Sequence, residues 1–279
     1  MAFMHVDFMS GTLRRSVQFN AVFPVDNYIR RKASYDGKPL KTLYLLHGLL
    51  GDYNDWPLQT NIQALATRKN LAVIMPSGDN SFFVDAPIPN FDYGRFIGEE
   101  LVDVTRQMFN LSRKREDTFI AGFSMGGFGA LRNGFIYSET FGYIGALSNA
   151  LNIFELPASD PRRCLFHEDA VFGDLEKART TDKNPRVALT ELVTRAVGDK
   201  FKYPPCVHGM RAPRPAFGRQ SVFQGCHRKS RTRPDLRRDS GRTRLGFLAN
   251  SDRQALGLAA PRGFCRGSQQ RSCPPWGLR

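Results

Sequence analysis

The sequence lacks several things that would otherwise direct its reading. None of its 279 residues fall in a run approaching the roughly 18 apolar residues that a membrane-spanning helix needs. Met1 to Gln18 contains two adjacent arginines but no apolar core segment and no small-residue cleavage site, so no secretory leader is expected, and a cytoplasmic location is. Cysteine is scarce where the sequence is most regular, with Cys164 alone before residue 205. The other four, Cys206, Cys226, Cys265 and Cys273, show no CxxC spacing. Neither a zinc site nor a disulfide framework is therefore favoured.

A second set of absences is local. After residue 204 there is no Ile, no Tyr and no Glu, and 15 Arg stand against a single Lys, Lys229. This stretch holds 16 basic residues against Asp235, Asp239 and Asp252, a charge of +13, while residues 1–204 hold 24 against 23, or +1. The overall charge of +14 is thus a property of the tail, and the first part is an ordinary neutral globular sequence. The chain divides into a domain over 1–204 and a basic tail over 205–279, rich in Arg, Pro, Gly, Ser and Cys and expected to be poorly ordered.

Three readings of the tail compete. A nucleic-acid-binding arm would suit the charge, but Phe217, Phe223, Phe247, Phe264 and Trp276 are scattered rather than interleaved with the basic residues. A disordered linker suits the composition. The third is a shifted reading frame, which the genetic code can test. Codons compatible with Pro205 to Ala216, read one nucleotide later, permit Arg-Val-Tyr-Met-Ala-Cys-Gly-x-x-Asp-x-Leu. The same operation on Ser240 to Pro261 permits Gly-Gly-His-Asp-Trp-x-Phe-Trp and later Leu-Asp-Trp-Leu-Pro. Degenerate codons permit many strings; two fitting strings at sensible spacing favour the frameshift.

What is present before residue 204 alternates strand with helix. Residues 11–25 read as early, partly alternating strands. Lys41 to His47 and Leu71 to Met75 are short apolar runs of the kind buried parallel strands show. Leu58 to Lys69 and Phe96 to Leu111 carry apolar residues at helical spacing. Thr118 to Ala121 is a strand running into Gly122-Phe123-Ser124-Met125-Gly126-Gly127, Phe128 to Tyr137 a helix, and Tyr143 to Leu147 a further strand. This repetition predicts a mostly parallel sheet with helices on both faces, irregular or truncated after about residue 204.

The chemistry concentrates at Gly122 to Gly126, a GxSxG elbow with a strand before it and a helix after. Such a turn is tight enough to strain the serine backbone, and its glycines are required because side chains would collide with neighbouring elements. It exposes Ser124 at the carboxyl edge of the sheet, at a helix N-terminus that favours developing negative charge. Ser124 is the expected nucleophile. His47-Gly48-Leu49-Leu50-Gly51 follows an earlier strand, where a second oxyanion donor belongs, and the expected donors are the N–H groups of Leu49 and Met125. His47 precedes the serine, whereas triads of this fold run serine, acid, histidine, so His47 is read as a structural turn residue.

Together, Leu46-His-Gly-Leu-Leu-Gly-Asp52 with Trp56, Met75-Pro-Ser-Gly-Asp79, Phe96-Ile-Gly-Glu-Glu100, Arg115-Glu-Asp-Thr-Phe-Ile-Ala-Gly122 and Ser124-Met-Gly-Gly127 resemble the putative-esterase family. That family includes esterase D, S-formylglutathione hydrolase and bacterial tributyrin esterases, and the last look closest. The resemblance covers about residues 1–200. It implies an α/β-hydrolase fold and a cytosolic serine carboxylesterase for short-chain acyl esters or thioesters. It further implies a Ser–Asp–His triad, no metal or organic cofactor, and frequent assembly into dimers or tetramers.

The sequence departs from that pattern where the acid and the base are due. The family's Cys-Gly-x-x-Asp-like segment and Gly-Gly-His-Asp-Trp are absent from the written frame. In the shifted frame the Asp falls at Arg214 and the His at Thr243. His167 reads as a surface residue of a cap or linker, and His208 and His227 belong to the altered tail. Two rival functions remain at this level: a catalytically silent binding or regulatory protein on the same fold, and an esterase domain carried to nucleic acid by its tail.

Overall fold

The computed structural model describes residues 1–25, 37–157, 159–196 and 204–209. Among the described residues seven strands form one sheet: β1 (Ala2–Ser10), β2 (Arg15–Phe23), β3 (Lys41–Leu46), β4 (Leu71–Pro76), β5 (Thr118–Phe123), β6 (Tyr143–Leu147) and β7 (Cys206–Gly209), in the order β1-β2-β4-β3-β5-β6-β7. β1 pairs antiparallel with β2 and β2 antiparallel with β4; from β4 to β7 every pairing is parallel. The apolar runs of β3 and β4 are buried almost end to end, as strands covered on both faces must be.

β1 was not expected from the sequence. Its alternation is real, half-buried at Ala2, Met4, Val6 and Phe8 and exposed between them, but the outward set includes the apolar Phe3 and Met9 and blurs the pattern. The β1–β2 turn is gripped by Glu100, whose carboxylate accepts from Ser10 Oγ at 2.6 Å, Gly11 N–H at 2.6 Å and Thr12 N–H at 3.2 Å. These bonds outweigh the effect of partial burial and hold the Glu100 carboxyl below the usual carboxylate range.

The helix expected over Leu58 to Lys69 is two: α1 (Asp55–Gln59) and α2 (Ile62–Lys69). Thr60 breaks it in extended conformation, its hydroxyl donating to the Trp56 carbonyl at 2.5 Å and accepting from Ile62 N–H at 3.2 Å. Such local bonding competes with helix continuation. The helix expected from Phe96 begins at Tyr93, passes through a π turn at Phe96–Glu100 and ends as α3 (Leu101–Met108). Within that turn Gly98 lies flat on Tyr137, where a Cβ would come 2.1 Å from a ring carbon. α4 (Met125–Ile136) follows the elbow directly, and α5 (Pro185–Ala196) packs against it.

Helices α3, α4 and α5 cover one face of the sheet and α1 and α2 the other, through two separate apolar clusters. In the first cluster, the chain after β6 lays Phe154, Phe166 and Phe172 over Phe82 and Phe128, with ring centroids 5.0–6.2 Å apart. Buried Arg132 on α4 ties this cover down, bonding Asp182 at 2.7 Å, Asp85 at 3.1 Å and Asn133 Oδ1 at 2.8 Å.

The boundary drawn at residue 204 needs a correction. Cys206–Gly209 joins the sheet as β7, in register with Ile144 to Leu147, so the first residues of the tail continue the parallel order. The remainder of the 205–279 tail lies outside the described residues.

Candidate active site

β5 delivers Phe123 to the carboxyl edge of the sheet, between β3 and β6, and the chain reverses into α4 through Ser124. Ser124 has φ 54° and ψ −112°, a conformation side chains rarely adopt. Its neighbours explain how it is held. Its N–H donates to the Leu147 carbonyl at 2.9 Å, and its carbonyl accepts from Phe128 at 3.0 Å and Ala150 at 3.2 Å. A Cβ at Gly122 would lie 2.3 Å from the Gly126 carbonyl, and one at Gly126 would lie 2.4 Å from the Leu46 oxygen and 2.5 Å from that of His47. Both glycines are therefore dictated by close backbone approach. Ser124 itself is half-buried, and Met125 occupies the first position of α4, where an N–H has no partner inside the helix.

The other expected site residues arrive on the loop after β3. β3 and β5 are paired, with Leu46 opposite Gly122, so the loop and the elbow leave the sheet at the same level. A Cβ at Gly48 would touch the Phe123 ring at 3.2 Å and lie 3.7 Å from the Phe123 carbonyl. The loop closes as a turn by Gly51 N–H donating to the Gly48 carbonyl at 3.2 Å, with Leu50 at φ 62°. A positive φ at the third residue of such a turn and not at the second makes it type II. Leu49 is its second residue, so Leu49, Ser124 and Met125 stand on adjoining segments.

His47 is buried, and both ring nitrogens are engaged. Nε2 accepts from Gly78 N–H at 2.9 Å, which leaves Nδ1 to carry the proton and donate to the Gly48 carbonyl at 2.7 Å. Burial lowers its pKa below the ordinary histidine value, outweighing the Gly48 bond and the nearby carboxylates of Asp55, Asp52 and Asp79. A neutral imidazole without a free lone pair fits the structural role read from the sequence. His167 is exposed, at φ 46°, where a short 3₁₀ turn meets the helical turn Glu168–Val171. His208 lies on β7 opposite Ala146. His227, and Arg214 and Thr243, where the shifted frame would carry the Asp and the His, lie outside the described residues.

One participant escaped the sequence reading. Asn80, immediately after the quoted Met75-Pro-Ser-Gly-Asp79 string, accepts from Leu50 N–H through Oδ1 at 2.8 Å and donates through Nδ2 to the Leu165 carbonyl at 3.4 Å. The string marked a turn, but nothing in it shows which loop the following side chain reaches.

Residues 10–192 match the family model described as Putative esterase. An acetyl esterase of Caldicellulosiruptor saccharolyticus is 41% identical over 198 residues, covering 69% of this chain and 74% of that protein. Among solved structures, the fluorophosphonate-binding serine hydrolase FphF of Staphylococcus aureus is 30% identical with a TM-score of 0.62, over 75% of this chain and 78% of that one. The S-formylglutathione hydrolase FrmB of the same organism is 30% identical with a TM-score of 0.61, over 75% and 79%. The chain belongs to the putative esterase family, the serine ester hydrolases of the α/β-hydrolase fold.

Proposed function

We propose that this chain descends from a carboxylesterase for short acyl esters or thioesters, with Ser124 as nucleophile and the N–H groups of Leu49 and Met125 as oxyanion hole. The observation that carries the reading is the strained Ser124 turn, closed by Gly122 against Gly126 and by Gly126 against the Leu46 and His47 carbonyls. In such a site the serine oxygen attacks the acyl carbon as a base takes its proton, the carbonyl oxygen becomes an oxyanion, and the leaving group departs with that proton to give an acyl-serine that water then cleaves. Two fixed N–H donors at the oxyanion are worth several kcal/mol because they need no reorganisation as the charge appears.

In the same proposal the written chain is impaired, and its frame has shifted near residue 205. His47 is occupied, and the residues that would supply acid and base are Arg214 and Thr243 as written. Support comes from the abrupt loss of Ile, Tyr and Glu after residue 204 and from the two family-like strings in the alternative frame. It also comes from a family match that ends at residue 192. A soluble, cytosolic setting and assembly into a homo-oligomer belong to this proposal as well.

The test is hydrolysis of p-nitrophenyl acetate and butyrate by the written chain, by its Ser124→Ala variant and by a chain with the frame restored from residue 205. The written chain is expected to be feeble, and the restored one faster by about four to six decades, the size of triad losses elsewhere. Turnover by the written chain at about 1–1,000 per second, abolished by Ser124→Ala, would show that a histidine of the written frame serves as base.

A further inference from the structure

The turn that carries Leu49 is not one its own sequence favours. A type II turn asks for glycine at its third position, and here that position is Leu50, at φ 62°. The Leu50 side chain is 69% exposed, so burial does not compensate the strain. Left to itself, the Leu49–Leu50 peptide would rotate toward a type I turn, in which both central residues have negative φ.

What opposes that rotation is the segment after β4. Gly78 N–H holds His47 at the start of the loop, and Asn80 Oδ1 takes the Leu50 N–H at 2.8 Å at its turn. Rotating the peptide would point the Leu49 carbonyl at the Asn80 oxygen and break the bond. The amide orientation of Asn80 is fixed from its other end, since Nδ2 donates to the Leu165 carbonyl. Exchanging oxygen and nitrogen would set donor against donor at Leu50 and acceptor against acceptor at Leu165.

We infer that Asn80 is a positioning residue for the oxyanion loop: its bond to the Leu50 N–H, with that of Gly78 N–H to His47, pins the strained loop on both sides of Leu49 and so holds the Leu49 N–H in place for the acyl oxygen. The inference rests on the oxyanion role proposed above for Leu49. It assigns the chain between β4 and α3 a part in the reaction that its sequence does not advertise, and it links that part to the cover segment through Leu165.

Three variants test it in the full chain, as written and with the frame restored, against p-nitrophenyl acetate, with Ser124→Ala as the blank. Asn80→Ala is expected to lower kcat about tenfold or more with little change in KM, less than the roughly hundredfold or greater loss of a whole oxyanion donor. Asn80→Asp keeps an oxygen for Leu50 but sets an acceptor against the Leu165 carbonyl, and is expected to lose less rate than Asn80→Ala. In the double variant, Leu50→Gly with Asn80→Ala, the glycine adopts the positive φ without strain, so part of the loss should be recovered. A role confined to bracing the cover through Leu165 predicts no such recovery, and failure of the double variant to exceed Asn80→Ala overturns the proposal. So does an Asn80→Ala chain within about twofold of its parent while Ser124→Ala is inactive, an outcome that leaves the nucleophile standing. If Ser124→Ala hydrolyses as fast as its parent, the nucleophile assignment fails and this inference with it.

Discussion

The two faces of the sheet are built to different depths. Among the described residues, 38 buried apolar side chains form the cluster under α3, α4 and α5, whereas 11 form the cluster under α1 and α2. Both use the same strands: along β3, Tyr44 and Leu46 enter the deep cluster while Leu43 and Leu45 enter the shallow one. The difference therefore lies in what covers the sheet, not in the strands. The deep face is covered by chain before residue 197. Among the described residues the shallow face has Trp56, Ile62 and Ala66 as its helical contribution. A hydrolase sheet buried on both sides needs more than two short helices across such a face, so the shallow side is where a changed C-terminal sequence has most to alter.

The largest effect expected from this contrast is the frame restoration. If the shifted frame holds both the missing triad members and cover for the shallow face, restoring it should raise ester turnover by about four to six decades and raise the thermal midpoint as well. A gain in rate with no gain in midpoint would separate the two and leave the shallow face as a property of the native fold. Next in size are paired truncations. Leu131→Ala in the deep cluster should cost about 4–5 kcal/mol and Leu43→Ala in the shallow one about 2–3 kcal/mol, because the cost rises with how poorly the site can collapse. Denaturant midpoints measure both, and equal losses would erase the contrast.

Smaller effects are expected at the carboxyl edge, where the two faces meet. Ser124→Gly should raise stability by about 1 kcal/mol by relieving the positive φ, while removing whatever hydrolysis depends on the serine. A loss of stability would mean that the turn is held without strain. The smallest concerns His47, neutral in the fold with its pKa lowered by burial. Its contribution is fully present above the unfolded value of about 6.5 and is lost as pH falls from there toward the folded value, at up to about 1.4 kcal/mol per pH unit. Midpoints recorded from pH 7 down to 5 should therefore fall, and His47→Gln should fall less steeply.

Much of this architecture was readable because its signals are local. β3, β4, β5 and β6 are contiguous apolar runs, and Gly122 to Gly126 sits between a strand and a helix in consecutive residues, so period and position agree. What was missed depends on distant partners. β1 is half-buried because it pairs along its length with β2 and lays Ala2, Met4, Val6 and Phe8 on the deep cluster, while Glu100, some 90 residues on, anchors the turn between the two strands. The split between α1 and α2 follows from one hydroxyl at Thr60. After β6 the 3₁₀ and helical turns are too short to show a period, although Phe154, Phe166 and Phe172 close the deep cluster. Asn80 was invisible for the same reason: its neighbours in sequence say turn, while its partners Leu50 and Leu165 are 30 and 85 residues away.

Trp56 gives the shallow face a voice of its own. The sequence has two tryptophans, Trp56 and Trp276. Trp56 is buried, and its indole N–H donates to the Leu46 carbonyl at 3.0 Å, one residue before the loop that carries Leu49. In a Trp276→Phe background the protein's indole emission comes from this one ring. It would shift to the red when α1 lifts from the sheet, whether or not the deep cluster on the opposite side has melted.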